Sequence, residues 1–154
     1  MEGANDMTIW FDMDGTIANL YGVDNWLAKL RASDPSPYAE AAVMMNMSQL
    51  ARALNMAQAA GYQLGVISWL SKSGSAEYGE LVEQAKLKWL KNHLKSVKWD
   101  SIHIVEYGIP KQTFMQSDKD ILFDDEERNR DSWTGNAYEP QSIMEILKEL
   151  IANT

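Results

Sequence analysis

Apolar and polar positions alternate along the chain in blocks that predict strands and helices in turn. Met7–Phe11 (MTIWF) is a short apolar run ending in acidic sequence, the pattern of a buried strand. Tyr62–Ser68, Ser101–Val105 and Asp120–Phe123 predict three more. Between them the apolar positions take helical spacing. Ser48 reads as the N-cap of a helix running to Ala60, with Gly61 as its stop. Ala76–Leu94 predicts a long helix in which Val82, Ala85 and Trp89 share a face and Leu81, Leu90 and Leu94 flank it. Pro140–Ile151 predicts a closing helix on Ile143, Ile146, Leu147 and Leu150. The stretch 17–47 has no clean period. It predicts a short helix over Asp24–Ala32, a break at Ser33–Pro37, and a helix-prone segment rich in Ala and Met. Strands separated by helices imply parallel βαβ units, hence an α/β fold: a three-layer sandwich around a parallel sheet. Residues 1–154 read as one domain with a short helical cap insert at about 18–47.

Composition narrows the chemistry. The chain has no cysteine, which excludes disulfides and thiolate metal sites. Its only histidines, His93 and His103, are too few for an ordinary zinc enzyme and read as packing residues. A net charge of -8 argues against a nucleic-acid polymer as partner and fits an acidic site that recruits its own cation. No apolar run approaches the roughly 20 residues of a membrane span. The segment MEGANDM lacks the apolar core of a secretory leader, so a cytoplasmic location is expected.

Ligands of open α/β sheets bind beyond the carboxyl ends of the strands. There the chain places Asp12-Met13-Asp14-Gly15-Thr16 after the first strand, Ser68 after the second, Lys111 beyond the third and Asp124-Asp125 after the fourth. This order resembles the haloacid dehalogenase (HAD) superfamily of phosphohydrolases, over nearly the whole chain. The resemblance implies a nucleophilic Asp12 that becomes an aspartyl-phosphate and an Asp14 that protonates the leaving alcohol and then activates water. An acid at the position of Asp14 favours phosphoryl transfer over carbon–halogen cleavage. Ser68 would bind the phosphoryl oxygens, and Lys111 would offset their charge, with Lys72 and Lys86 as rival lysines. Mg2+ is the implied cofactor, because hard oxygen ligands completed by water suit it. Asp12, the backbone carbonyl of Asp14, Asp124 and Asp125 form the implied metal set, and Asn129 would brace the last loop. Gly15 permits the turn, and Thr16 holds the loop next to the substrate. Glu126, Glu127 and Asp131 read as solvated charge.

The substrate is less well marked. Asp12–Trp26 and the ILFDD sequence resemble the 5′(3′)-deoxyribonucleotidase group within that superfamily, which implies a nucleoside monophosphate held by aromatic side chains. Tyr21, Trp26, Tyr38 and Trp69 are the candidates for stacking, with Lys72 beside them. The insert is shorter than that group's cap, which leaves the site open or covered by the second subunit of a homo-oligomer. Three readings follow. The first is a Mg2+-dependent phosphatase of a small phosphometabolite, preferably a nucleotide. The second is a phosphatase of sugar phosphates or nucleic-acid ends. The third is a binding protein that sequesters a nucleotide without turnover.

Overall fold

In the computed structural model the apolar runs become the central strands of a parallel sheet. The structure describes residues 7–153, so the leader-free reading of MEGAND falls outside the described residues. In chain order the elements are β1 (Thr8–Phe11), β2 (Ala18–Asn19), α1 (Trp26–Arg31), α2 (Ser36–Glu40), β3 (Ala42–Val43) and α3 (Met47–Ala59). There follow β4 (Gln63–Trp69), α4 (Ala76–His93), β5 (Ser101–Val105), β6 (Ile121–Phe123), α5 (Glu127–Asp131), β7 (Ala137–Tyr138) and α6 (Ile143–Ala152). The sheet runs β5-β4-β1-β6-β7, parallel throughout, and β2 pairs antiparallel with β3 apart from it. This is the α/β architecture expected from the alternation of strands and helices.

Alternate residues of the strands face opposite ways. Ile9, Phe11, Leu64, Val66, Ile121 and Phe123 face α3, α4 and α6, where Leu50, Leu54, Trp89, Leu90, Ile143 and Leu147 complete the main core. The other face is covered by shorter elements. Trp10, Ile67 and Leu122 pack there with Phe114, Met115 and Trp133. Trp10 has room because its register partner on β4 is Gly65, where a Cβ would collide with the indole. No described helix is long and apolar enough to cross a membrane.

The segment between β1 and α3 departs most from expectation. Ser33–Pro37 does break the chain after α1, which ends at Arg31 with Ser33 at φ 59°, but the same segment also starts a helix. Asp34 accepts a hydrogen bond from the Ser36 amide at 2.9 Å, and Pro37 sits in the first turn of α2, where its missing N–H costs nothing. The Ala/Met stretch is extended instead of helical at Ala42–Val43, because it pairs with Ala18–Asn19. The cap of α3 is Asn46, whose Oδ1 accepts from the Gln49 amide at 3.0 Å; Ser48 lies inside the helix. This insert packs on α4 through Leu20, Tyr38, Tyr78 and Val82, all buried, and the Tyr78 hydroxyl donates to the Asp34 carbonyl at 2.9 Å.

The end of the sheet opposite the motif loops is fastened by Asp120, which is fully buried. Its carboxylate accepts from the Thr8 amide (2.8 Å), the Trp10 indole (2.9 Å) and the Gln116 amide (2.9 Å). Asp120→Ala orphans these donors, and each unpaired buried donor costs about 1–3 kcal/mol. We predict a melting temperature lower by roughly 6 °C or more, on a scale of about 2–4 °C per kcal/mol at this size. Thermal unfolding followed by circular dichroism checks this; a shift below about 2 °C would mean the donors find other partners.

Candidate active site

The register of the sheet assembles the site. Phe11 is level with Val66 on one side and Phe123 on the other. The next residues along, Asp12 and Asp124, therefore emerge side by side, and the Asp12 amide donates to the Phe123 carbonyl at 2.9 Å. Ser68, the penultimate residue of β4, lies one position further on. Beyond β1 the chain folds back on itself. The Met13 carbonyl accepts from the amides of Thr16, Ile17 and Ala18 at 2.9–3.0 Å, and Gly15 takes φ +82°. A side chain at Gly15 would also strike the Asp125 carboxylate.

Two buried lysines organise the carboxylates. Lys111 Nζ lies 2.7 Å from Asp12 Oδ1 and 2.7 Å from Asp124 Oδ2. Burial works against the charge on Lys111, but Asp12 and Asp124 outweigh it and hold its pKa above the usual value. Lys86, from the middle of α4, reaches Asp14 Oδ2 (2.9 Å), Ser68 Oγ (2.6 Å) and the Trp69 carbonyl (2.7 Å), under the ring of Tyr38. Of the three rival lysines, Lys111 is thus against Asp12, Lys86 is against Asp14, and Lys72 is exposed in the loop after β4.

Asp12, Asp124 and Asp125 each offer an oxygen within 4.8 Å of the others. Such crowding disfavours ionisation. Burial, then the Asp12 charge, raises Asp124 to about 6 and Asp125 to about 8. An all-oxygen donor set whose members repel one another suits a hard divalent cation. The carboxylate of Asp14 turns to Lys86 instead of joining this group. Burial raises its pKa too, with Lys86 opposing.

The supporting residues are held as follows. The Thr16 hydroxyl donates to Asp12 Oδ2 at 2.9 Å and accepts from the Asp125 amide at 3.2 Å. Thr16 and Ser68, both expected beside the substrate, are buried and do not line the cavity. Thr16 works by fixing Asp12, and Ser68 by accepting from Lys86. The Asn129 amide braces Asp124 Oδ2 at 3.1 Å. His93 packs on Trp89 and His103 on Phe114, each at 4.4 Å, away from the carboxylates.

A cavity of about 400 Å³ opens above this floor. Asp12, Asp14, Lys111, Asp124 and Asp125 reach its base; Tyr21, Trp26 and Tyr38 come from the insert; Trp69 and Tyr107 form the opposite wall. Tyr21 and Trp26 meet edge to face at 4.9 Å. Trp69 is fixed by its indole N–H to the Ile109 carbonyl at 2.8 Å and lies 4.9 Å from Tyr107. Sequence reasoning missed Tyr107 and Arg128; the latter donates to the Tyr107 hydroxyl at 3.1 Å and sits 5.3 Å from the Trp69 ring centroid.

Comparison with known proteins gives a fold and no close relative. No family model matches the sequence, and no curated protein does. Among solved structures, a candidate HAD-like phosphatase of Mesorhizobium loti superposes with a TM-score of 0.57 at 14% identity, covering 99% of this chain and 89% of its own. The D,D-heptose 1,7-bisphosphate phosphatase of Burkholderia thailandensis superposes at 0.51 and 14% identity, over 82% of this chain and 71% of its own. The fold is that of HAD-like phosphatases. At 14% identity these likenesses show the fold, and neither neighbour carries the narrower likeness to deoxyribonucleotidases.

The raised carboxylates set a pH dependence. With an unfolded value near 3.8, the metal-free folded protein holds more protons than the unfolded chain, so its stability falls as pH rises through about 6 and about 8. We predict that the melting temperature in EDTA drops between pH 5 and pH 8, and that millimolar Mg2+ raises it at pH 8 more than at pH 5. A flat profile with no Mg2+ effect would count against the cluster as a cation site.

Proposed function

We propose that this chain is a Mg2+-dependent phosphoric monoester hydrolase that works through a phosphorylated Asp12. The observation that carries the reading is Lys111 held between Asp12 and Asp124 inside a group of three carboxylates. A phosphate monoester is anionic, and an unshielded carboxylate would repel it. Mg2+ bound by Asp12, Asp124 and Asp125 would supply the neutralising charge. Lys111 adds a fixed positive charge at the point of attack.

In this reading Asp12 attacks phosphorus as the bond to the leaving oxygen breaks, and Asp14 gives that oxygen its proton. Asp14 then takes a proton from water as the water oxygen attacks the phosphoryl group, freeing inorganic phosphate and restoring Asp12. Lys111 and Thr16 each hold one oxygen of Asp12, which fixes the carboxylate for in-line attack. Lys86 keeps Asp14 at the cavity edge.

The substrate is a small phosphorylated metabolite. The aromatic pair Tyr21 and Trp26 favours a nucleoside monophosphate, with the base against the insert. A sugar phosphate is the second reading. It is supported by the likeness to a heptose bisphosphate phosphatase, and by Trp69 and Tyr107 having cations over their rings.

The test is phosphate release from nucleoside monophosphates, sugar phosphates and an aryl phosphate, with Mg2+ and with EDTA. Release that needs the metal is expected, and its ranking separates the two substrate readings. Asp12→Asn is predicted to lower turnover by at least about a thousandfold with an unchanged circular dichroism spectrum. Turnover at the wild-type rate would remove Asp12 as nucleophile, and a folded wild type that binds Mg2+ yet releases nothing would favour a sequestering protein.

A further inference from the structure

The floor of the cavity is acidic, but towards its mouth cations stand beside the acid Glu126. Segments at and beyond the ends of β4, β5 and β6 bring cations and aromatic rings together there. Lys72, after β4, places Nζ 5.8 Å from the Tyr107 ring centroid. Arg128, in α5, places its guanidinium carbon 5.8 Å from Tyr107 and 5.3 Å from Trp69. Tyr107, after β5, is the ring they share.

Arg128 also donates to the Tyr107 hydroxyl at 3.1 Å, but carboxylate partners for these cations are few. Lys72 forms no ion pair among the described residues. Arg128 meets one carboxylate, Glu126, at 3.4 Å, in a pair with both side chains substantially exposed. An exposed contact of that kind is weak and screened by solvent, so an incoming anion displaces it readily. The rings do not account for the cations by themselves, since an exposed cation–aromatic contact is weak in water. What the rings do is hold Arg128 and Lys72 over the mouth instead of leaving them free in solvent.

The mouth is close to the reaction centre. Lys111 Nζ also lies 5.3 Å from the Trp69 centroid, so Lys111 and Arg128 are separated by no more than twice that distance. With the first phosphoryl group at Asp12 and Lys111, that bound limits any skeleton reaching the second cation to a short one. Guanidinium matches phosphate oxygens in bidentate fashion, which ammonium alone does not. With net charge -8, the chain has no general reason to gather cations here.

We infer that Arg128 and Lys72, seated on Trp69 and Tyr107, bind a second anionic group of the substrate, which is a small metabolite carrying two phosphates on a short skeleton. The inference rests on the phosphohydrolase reading for its first phosphate, and adds a subsite that the reading does not require. It also gives Trp69 a role as support for a cation in place of a surface for a base.

The experiment measures binding, so that it stands apart from turnover. Titration calorimetry in Mg2+ on Asp12→Asn compares fructose 1,6-bisphosphate and a nucleoside 3′,5′-bisphosphate with their monophosphates. At least one bisphosphate is expected to bind about tenfold or more tightly than its monophosphate, the gain of a charge-assisted hydrogen bond. Adding Arg128→Gln or Lys72→Gln is expected to remove most of that gain and to affect the monophosphate less. Equal affinity for each pair overturns the inference, as does an equal loss on both ligands in the double variants. The two bisphosphates distinguish a sugar from a nucleoside skeleton. Hydrolysis of aryl phosphate by the wild type reads the underlying activity separately: its absence would sink the hydrolase reading and leave the binding comparison intact.

Discussion

One buried ammonium holds the chemistry together. Parallel strands β1 and β6 deliver Asp12 and Asp124 next to each other at their carboxyl ends, both almost wholly out of water. Two carboxylates in that position repel each other and lose hydration, and each term is large at low dielectric. Lys111 compensates both at 2.7 Å, and the Asn129 amide and the Glu126 backbone amide satisfy what remains of Asp124. The sheet can therefore end in clustered acid without coming apart, and the carboxylates are positioned before any substrate arrives.

Lys86 does the same work between the core and the insert. It crosses from α4 to Asp14 and Ser68 and lies under Tyr38 of α2, so a shift of the insert would disturb the same ammonium that holds Asp14. The insert is accordingly packed on α4 along an apolar seam, with its outer residues Tyr21 and Leu27 left exposed at the cavity. Viewed from the solvent, the cavity has a cationic and aromatic rim, then lysine-braced carboxylates.

Much of this was readable from the residues. Apolar runs that stop abruptly at Asp12, Ser68 and Asp124 mark strand ends, and a parallel sheet brings such ends to one edge. Lys111 was open to two rivals because its link to Asp12 spans 99 residues and depends on a loop of no fixed length. Lys86 stayed ambiguous for a different reason: in sequence it is one more lysine on a lysine-rich helix, and only the angle of α4 over β4 buries it. The part of Thr16 in holding its loop was visible as residue type and position, whereas Ser68 was read as a phosphoryl contact and its burial against Lys86 gave no local signal. Short elements were the least legible. The two residues of β7 and the five of α5 are set by what they pair with and cover, and Ala42–Val43 became a strand against the propensity of its neighbours. Tyr107 and Arg128 gave no local signal, since their meeting at Trp69 is made by three separate segments.

The central claim is that Asp12 becomes phosphorylated. Quenching the enzyme in mid-turnover and reducing it with borohydride converts an aspartyl-phosphate to homoserine, which peptide mass spectrometry locates. The account predicts homoserine at position 12 and none at 14, 124 or 125. Phosphate release accompanied by no modification at position 12 would contradict it.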